Sequence, residues 1–280
     1  MDLTVRRMTR QEVGWAVDWA AAEGWNPGLD DAECFYRCFP EGFFLCESGG
    51  RALGCISAVA YDEHFGFIGF FIVAPEHRGG RIGVALGRAA LACLGGRNIG
   101  LDGVEDKVKN YEAFGFKLAY NNIRFEGVVP RLLAEPPDVV ELAALPFQSI
   151  AVYDRSFFPA SRSAFLSLWI VQRSGASLGI LKDGRLAGYG VIRACRKGSK
   201  IGPLFADDKM TADVLLRALL CRVAPGSVFY LDAPGVNSDA LALADRYGMR
   251  PVFKTARMYS REEPPLPLDR IFSVTSFELG

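Results

Sequence analysis

The chain has 280 residues, a length that favours two domains over one, and half of them are hydrophobic against 23% charged, which excludes a disordered chain. Its 32 basic and 32 acidic residues balance, so overall charge draws it neither to nucleic acid nor to an anionic membrane. Seven cysteines without CxxC spacing argue against a disulfide framework or zinc knuckle and fit a reducing cytoplasm, and two histidines, His64 and His77, disfavour a His-based metal site.

Residues 3–8 alternate and predict a strand, and Thr9 is placed to cap a helix carrying Val13, Trp15, Val17 and Ala20. This N-terminus has no apolar secretion-signal core, and no run of about 18 apolar residues follows to span a membrane. The turn run GWNPG over 24–28 precedes Asp30 and Asp31, which can cap a second helix with Phe35 and Phe39. Segments 42–48, 51–60 and 66–73 are rich in β-formers and predict an antiparallel meander, its first turn at Ser48, Gly49 and Gly50. Ile82, Leu86, Ala89, Ala90 and Cys93 recur with helical period before Gly95 and Gly96. A strand over 98–101, a short helix over 106–114 closed by Gly115, and a strand over 117–125 follow.

Pro130, Pro136 and Pro137 mark a linker, and the second half spells nearly the same series. It has a strand over 138–143, helices over 146–154 and 161–169, a hairpin of 177–182 with 185–193, and a strand over 200–205. A helix over 211–221, a strand over 227–231, a helix over 238–247 and a strand over 252–259 complete it. Two tandem α+β units are expected, residues 1–127 and 138–280, joined by 128–137. Their charges are opposite, with 14 Lys/Arg against 19 Asp/Glu in residues 1–140 and 18 against 13 in the rest, so the halves attract weakly.

The segment 70–86, FFIVAPEHRGGRIGVAL, carries the most chemistry. A strand runs through a proline turn and a Gly-rich loop into a helix, whose first N–H groups lack helical partners and offer the positive end of the dipole to an anion. Gly79, Gly80 and Gly83 let the backbone come close, and Arg78 and Arg81 supply charge complementary to phosphate. On residues alone, the alternative is a Gly-rich turn with two solvated arginines. The pattern V-x-P-x-x-R-G-x-x-x-G leading into an amphipathic helix resembles the acetyl-CoA loop of the GCN5-related N-acetyltransferase (GNAT) superfamily. It reads here Arg78-Gly79-Gly80-Arg81-Ile82-Gly83, with Arg81 in place of the family's central glycine. Tyr111-Glu112-Ala113-Phe114-Gly115-Phe116 is similar to the family's Tyr-x-x-x-Gly-Phe, with Val104 where the family often has Asn.

The resemblance implies two tandem GNAT-like domains, each a mixed sheet in an α/β/α sandwich, and acetyl-CoA as cosubstrate held by Ile72, Val73, Arg78, Gly79, Gly80, Arg81, Ile82, Gly83 and Val84. It implies a pantetheine arm between the strands 66–73 and 98–101, and Tyr111 as general acid to the CoA thiolate, although Tyr111 also suits the core face of a short helix. The acceptor would be a primary amine on a small molecule or peptide, met by Trp25, Asn26 and Phe35 beside Tyr36 and Phe39, with Glu23, Asp30, Asp31 and Glu33 as negative charge. The bland alternative makes the acids caps and the aromatics core. Strand 66–73 lacks a carboxylate, leaving Asp62, Glu63, His64 or water as base.

In the second half Asn237 stands seven residues before Ala244, where the tyrosine would be, and Asp207 and Asp208 occupy the phosphate position. Carboxylates there repel phosphate, which marks a degenerate copy. Cys195 reads as a strand-end thiol on a solvated basic turn, and Arg193, Arg196, Lys197 and Lys200 lack the aromatics of a nucleic-acid face. The rival to an N-acetyltransferase is a non-catalytic acyl-CoA-binding or regulatory module.

Overall fold

A computed structural model describes residues 2–280. The chain opens with strand β1 (Thr4–Arg7) and helix α1 (Arg10–Ala22). Thr9 starts that helix by a capping box, accepting the Glu12 amide at 3.4 Å while the Glu12 carboxylate accepts the Thr9 amide at 2.7 Å. Helix α2 (Asp31–Cys38) and the meander β2 (Phe43–Ser48), β3 (Arg51–Ala60) and β4 (Phe65–Val73) follow. Then come α3 (Arg81–Cys93), β5 (Asn98–Val104), α4 (Val108–Ala113) and β6 (Lys117–Val128).

The second half contains β7 (Val139–Glu141), α5 (Phe147–Arg155), α6 (Ser163–Trp169), β8 (Gly175–Lys182), β9 (Arg185–Ala194) and β10 (Ser199–Ala206). It continues through α7 (Lys209–Leu220), β11 (Val228–Pro234), α8 (Ser238–Arg246) and β12 (Arg250–Tyr259). A last strand that the sequence reading did not assign, β13 (Ile271–Ser273), ends the series.

The strands form one mixed sheet in the order β1-β2-β3-β4-β5-β12-β6-β11-β10-β9-β8-β7, with β13 beside β10. The halves have exchanged strands: β12 pairs with β5 and β6 pairs with β11, both antiparallel, and β6 and β12 pair with each other between them. Each half therefore lends its last long strand to the other, and no free edge remains at the junction.

Helices cover both faces. Helices α1, α2, α5 and α6 share one apolar cluster, in which Phe35 stacks on Trp169 at 5.9 Å between ring centres. On the opposite face α3 lays Ile82, Leu86 and Ala90 on Leu53, Ile56 and Leu101, while α7 and α8 pack on Leu178, Ile201 and Leu231. This is the α/β/α sandwich that the resemblance implies. The accessible surface, 12410 Å², is close to the roughly 12,000 Å² that a folded chain of this mass should expose. No helix among the described residues is long and apolar enough to cross a membrane.

Buried ion pairs tie the halves together. Arg124 of β6 holds Asp232 of β11 through two bonds of 2.7 Å, Arg193 of β9 holds Asp31 of α2 at 3.0 Å, and Arg257 of β12 holds Asp102 of β5 at 2.6 Å. Arg196 and Lys197 form the exposed basic turn expected here, but Arg193, Cys195 and Lys200 beside it are buried, which corrects the solvated setting expected for the thiol. Burial pushes the Cys195 thiol up, so it is a poor nucleophile.

Candidate active site

Strands β4 and β5 run parallel and paired from Phe65–Asn98 to Ile68–Leu101, and then part. Beyond Ile68, β4 keeps only its pairing with β3, through Ile72–Cys55 and Val73–Gly54. The parting coincides with Phe70, which has φ 47° and sits where the β3 register shifts. A phenylalanine in the left-handed region is strained, and burial of its ring against Phe35 and Phe43 holds it there. The predicted gap between 66–73 and 98–101 is thus corrected: strand 98–101 is zipped to β4, and the opening starts at Gly69. A cavity of about 780 Å³ follows, walled by Phe71, Val73, Leu101, Val104 and Phe114.

At the mouth of this slot lies the glycine loop. Gly79 has φ 78°, and a β-carbon built on it would meet nothing within 4 Å. Gly80 is the N-cap of α3 and supplies no side chain to close it. Among the described residues, the Gly79 and Gly80 amides bond to no backbone carbonyl. The result is an open cradle of main-chain donors. Arg78 lines the cavity but is engaged, giving its Nε to the Val73 carbonyl at 2.9 Å and a second nitrogen to Glu23. Arg81 sits exposed on the first turn of α3, while Val84 and Ile72 reach the cavity wall. Gly83 also lines the cavity. The Ile82 side chain is core, leaving only its main chain for a ligand, and a β-carbon at Gly83 would make ordinary contact with Phe71 at 3.7 Å.

Tyr111, on α4, lines the slot opposite β4. Its ring lies so close over Gly103 that a β-carbon there would overlap it, which fixes both residues. Burial first, then the nearby Asp106 charge, pushes the phenol up to about 12, so it carries its proton at neutral pH. His77, which sequence reasoning did not place, also lines the cavity, with its Nε2 buried and without a hydrogen-bond partner.

The inner end of the cavity is walled by Trp25, Phe253, Thr255 and Phe277. Trp25 was expected there. Phe35 was also expected and is instead fully buried, because it completes the aromatic stack with Trp169 and Phe165. Asn26 turns away as well: its amide group exchanges two bonds of 2.9 Å with the Lys197 backbone. Tyr36 and Phe39 pack against the core, and each expected acid is already engaged. Glu23 meets Arg78, Asp30 accepts from Ser174, Asp31 from Arg193 and Glu33 from Arg10. Asp62, Glu63 and His64 lie at the far end of β4, where Asp62 binds the His64 and Phe65 amides at 2.8 Å, so none reaches the slot.

The equivalent place in the second half is closed. Strands β10 and β11 pair in parallel from Ser199–Phe229 to Ile201–Leu231 and then part, but β13 occupies the opening. Leu204 and Phe205 pair with Ser273 and Ile271, the Val274 amide donates to the Asp232 carbonyl at 2.9 Å, and the Ser273 hydroxyl donates to the Ile201 carbonyl at 2.8 Å. Asn237 caps α8 and donates to the Ile271 carbonyl at 2.9 Å. Asp208 caps α7, Asp207 takes Arg270, and Ala244 is core.

Residues 11–116 match the profile of the Acetyltransferase (GNAT) family, and residues 150–273 match that of the Acetyltransferase (GNAT) domain. Holothin acyltransferase of Pseudoalteromonas sp. (strain SANK 73390) is 29% identical over 268 residues, 95% of this chain and 91% of that protein. A crystal structure of a Pyrococcus horikoshii protein superposes with a TM-score of 0.84 at 21% identity, over 99% of this chain and 96% of that one. The tandem GNAT protein from the clavulanic acid biosynthesis pathway gives 0.65 at 16% identity, over 94% and 100%. With two such domains in succession and a relative that spans nearly its whole length, the chain belongs to the GNAT acyltransferases as a tandem member of the family.

Proposed function

We propose that the protein transfers an acetyl group from acetyl-CoA to a primary amine on a small molecule, working through its first half. The observation that carries this reading is the free edge of β4 from Gly69 to Val73, leading to the uncapped Gly79–Gly80 loop, with Tyr111 on the facing wall. The residues fit acetyl-CoA. Main-chain donors at Gly79 and Gly80 and the positive end of α3 suit a pyrophosphate, and the free β4 edge can pair with the amides of a pantetheine arm as a further strand would.

When bound, the thioester supplies an activated carbonyl carbon. Main-chain N–H groups of β4 near Val73 polarise the carbonyl oxygen, and the cavity aligns the amine lone pair with the carbon. As the C–N bond forms and the C–S bond breaks, Tyr111 gives its proton to the departing sulfur, and a proton lost by the amine nitrogen restores the phenol through solvent. The net products are an amide and CoA thiol. The chain divides on this reading into a working unit over residues 1–127 and a degenerate copy over 138–280, joined by 128–137. A small-molecule acceptor is favoured over a peptide because Phe253, Thr255 and Phe277 of the second half add to the wall of the cavity. The relative named holothin acyltransferase supports the acyl-transfer step.

The test is CoA thiol release from acetyl-CoA across a panel of primary amines. Amine-dependent release is expected. Acetyl-CoA binding without release for every amine would make the protein a binding module.

A further inference from the structure

The aromatic wall at the inner end of the cavity draws on both halves of the chain. The Phe253 and Phe277 rings meet at 6.3 Å between centres. Behind them lies Arg124, whose guanidinium stacks over Phe277 at 4.8 Å and Phe253 at 5.8 Å while donating to the Trp25 carbonyl at 2.6 Å. One buried cation thus positions all three aromatic residues, and Asp232 neutralises its charge through two bonds of 2.7 Å.

The charge around this end is balanced. Three carboxylates line the cavity, Glu23, Asp102 and Asp106, and each is paired with a cation, Arg78, Arg257 and Lys107 respectively. A polycationic acceptor would find no unpaired carboxylate among the described residues that line the cavity; the Glu278 carboxylate next to Phe277 has no hydrogen-bond partner, but it is buried outside that lining, in the field of Arg124 and Lys200. What the wall offers is aromatic surface.

Phe277 reaches this wall because of the second half's closed slot. The segment that enters that slot as β13 runs on past Gly202, where a β-carbon would overlap the Val274 and Thr275 carbonyls, and then past Gly69 of β4, where a β-carbon would overlap the Glu278 carbonyl. Phe277 is held between these two glycines, one in each half.

We propose that Trp25, Phe253 and Phe277 form the acceptor subsite, that it takes a small amine presenting a flat, uncharged ring, and that β13 in the second half is the clamp that positions Phe277. This rests on the acetyl-transfer reading above.

The experiment is thiol release by the full chain at saturating acetyl-CoA, comparing 2-naphthylmethylamine with spermidine, alongside calorimetric titration of acetyl-CoA. We expect kcat/KM at least tenfold higher for the naphthyl amine. Phe277→Ala should raise its KM about tenfold with acetyl-CoA affinity unchanged, and Phe253→Ala, read in the same way, covers the case in which the first variant does not fold. Asn237→Ala, which loosens the clamp without touching the cavity, should raise the same KM severalfold. Preference for spermidine, or an unchanged KM in both phenylalanine variants, overturns the subsite; an unchanged KM in the asparagine variant overturns the clamp. Wild-type protein that fails to bind acetyl-CoA overturns the acetyl-transfer reading and this one with it, whereas binding with release only to ring-free amines overturns this one alone.

Discussion

The molecule contains the same device twice, a parallel strand pair that parts halfway, and treats the two copies oppositely. Strands β4 and β5 part after Ile68 and leave an open slot, whereas β10 and β11 part after Ile201 and receive Ile271–Ser273 between them. The parting in each copy exposes unpaired main-chain groups, which must find partners or water. In the first half a ligand can provide them. In the second the chain provides its own, with Asn237 bonded to the inserted segment and Arg270 bonded to Asp207 just before α7. The two halves therefore share a sheet plan and a covered core, while one parting stays open and the other is filled by the chain itself.

Several changes break or sharpen this contrast. Arg124 sits behind both copies, and Arg124→Ala leaves Asp232 buried and unpaired, so a loss of about 3–5 kcal/mol in unfolding free energy is expected by denaturant titration. Tyr111→Phe acts on the open slot alone, and should cut turnover about 100-fold with little change in acetyl-CoA affinity, because only the proton delivered to sulfur is lost. Equal turnover would remove Tyr111 from the mechanism. On the closed side, Asn237→Ala removes a helix cap and a bond to Ile271, at a cost of about 1–2 kcal/mol in stability, with acetyl-CoA affinity unaltered.

The smallest effect lies outside both slots. The Arg6 guanidinium lowers the Glu12 carboxyl from 4.5 to about 2. A carboxyl depressed in the folded state contributes stability that is complete above its unfolded value and lost as pH falls towards the folded one. Melting temperature measured between pH 5 and 2 should therefore fall less steeply in Glu12→Gln than in wild type, and a parallel slope in both would remove Glu12 as a source of the acid sensitivity.

The local signals carried far in this chain. Thr9 with Glu12, the apolar period over α3 and the glycine loop each act within a few residues, so these elements and the loop can be read directly. Non-local choices cannot. Strands 117–125 and 252–259 alternate like any other strand, and nothing in either states that its neighbour lies in the opposite half. Trp25 and Phe35 are both aromatic residues near the same turn, and only the stack with Trp169 decides that Phe35 is core while Trp25 faces the cavity. Arg193 reads as a solvated charge because its partner, Asp31, is 162 residues away. Phe70 hides a one-residue slip inside an ordinary run of β-formers, and the final strand is too short to show a period.

The asymmetry between the copies is tested most directly by calorimetric titration of acetyl-CoA into the full-length chain, with Gly79→Val alongside. One binding event per chain, abolished or weakened at least tenfold by the substitution, is the predicted result. Two events per chain, or one that Gly79→Val leaves unchanged, would contradict it.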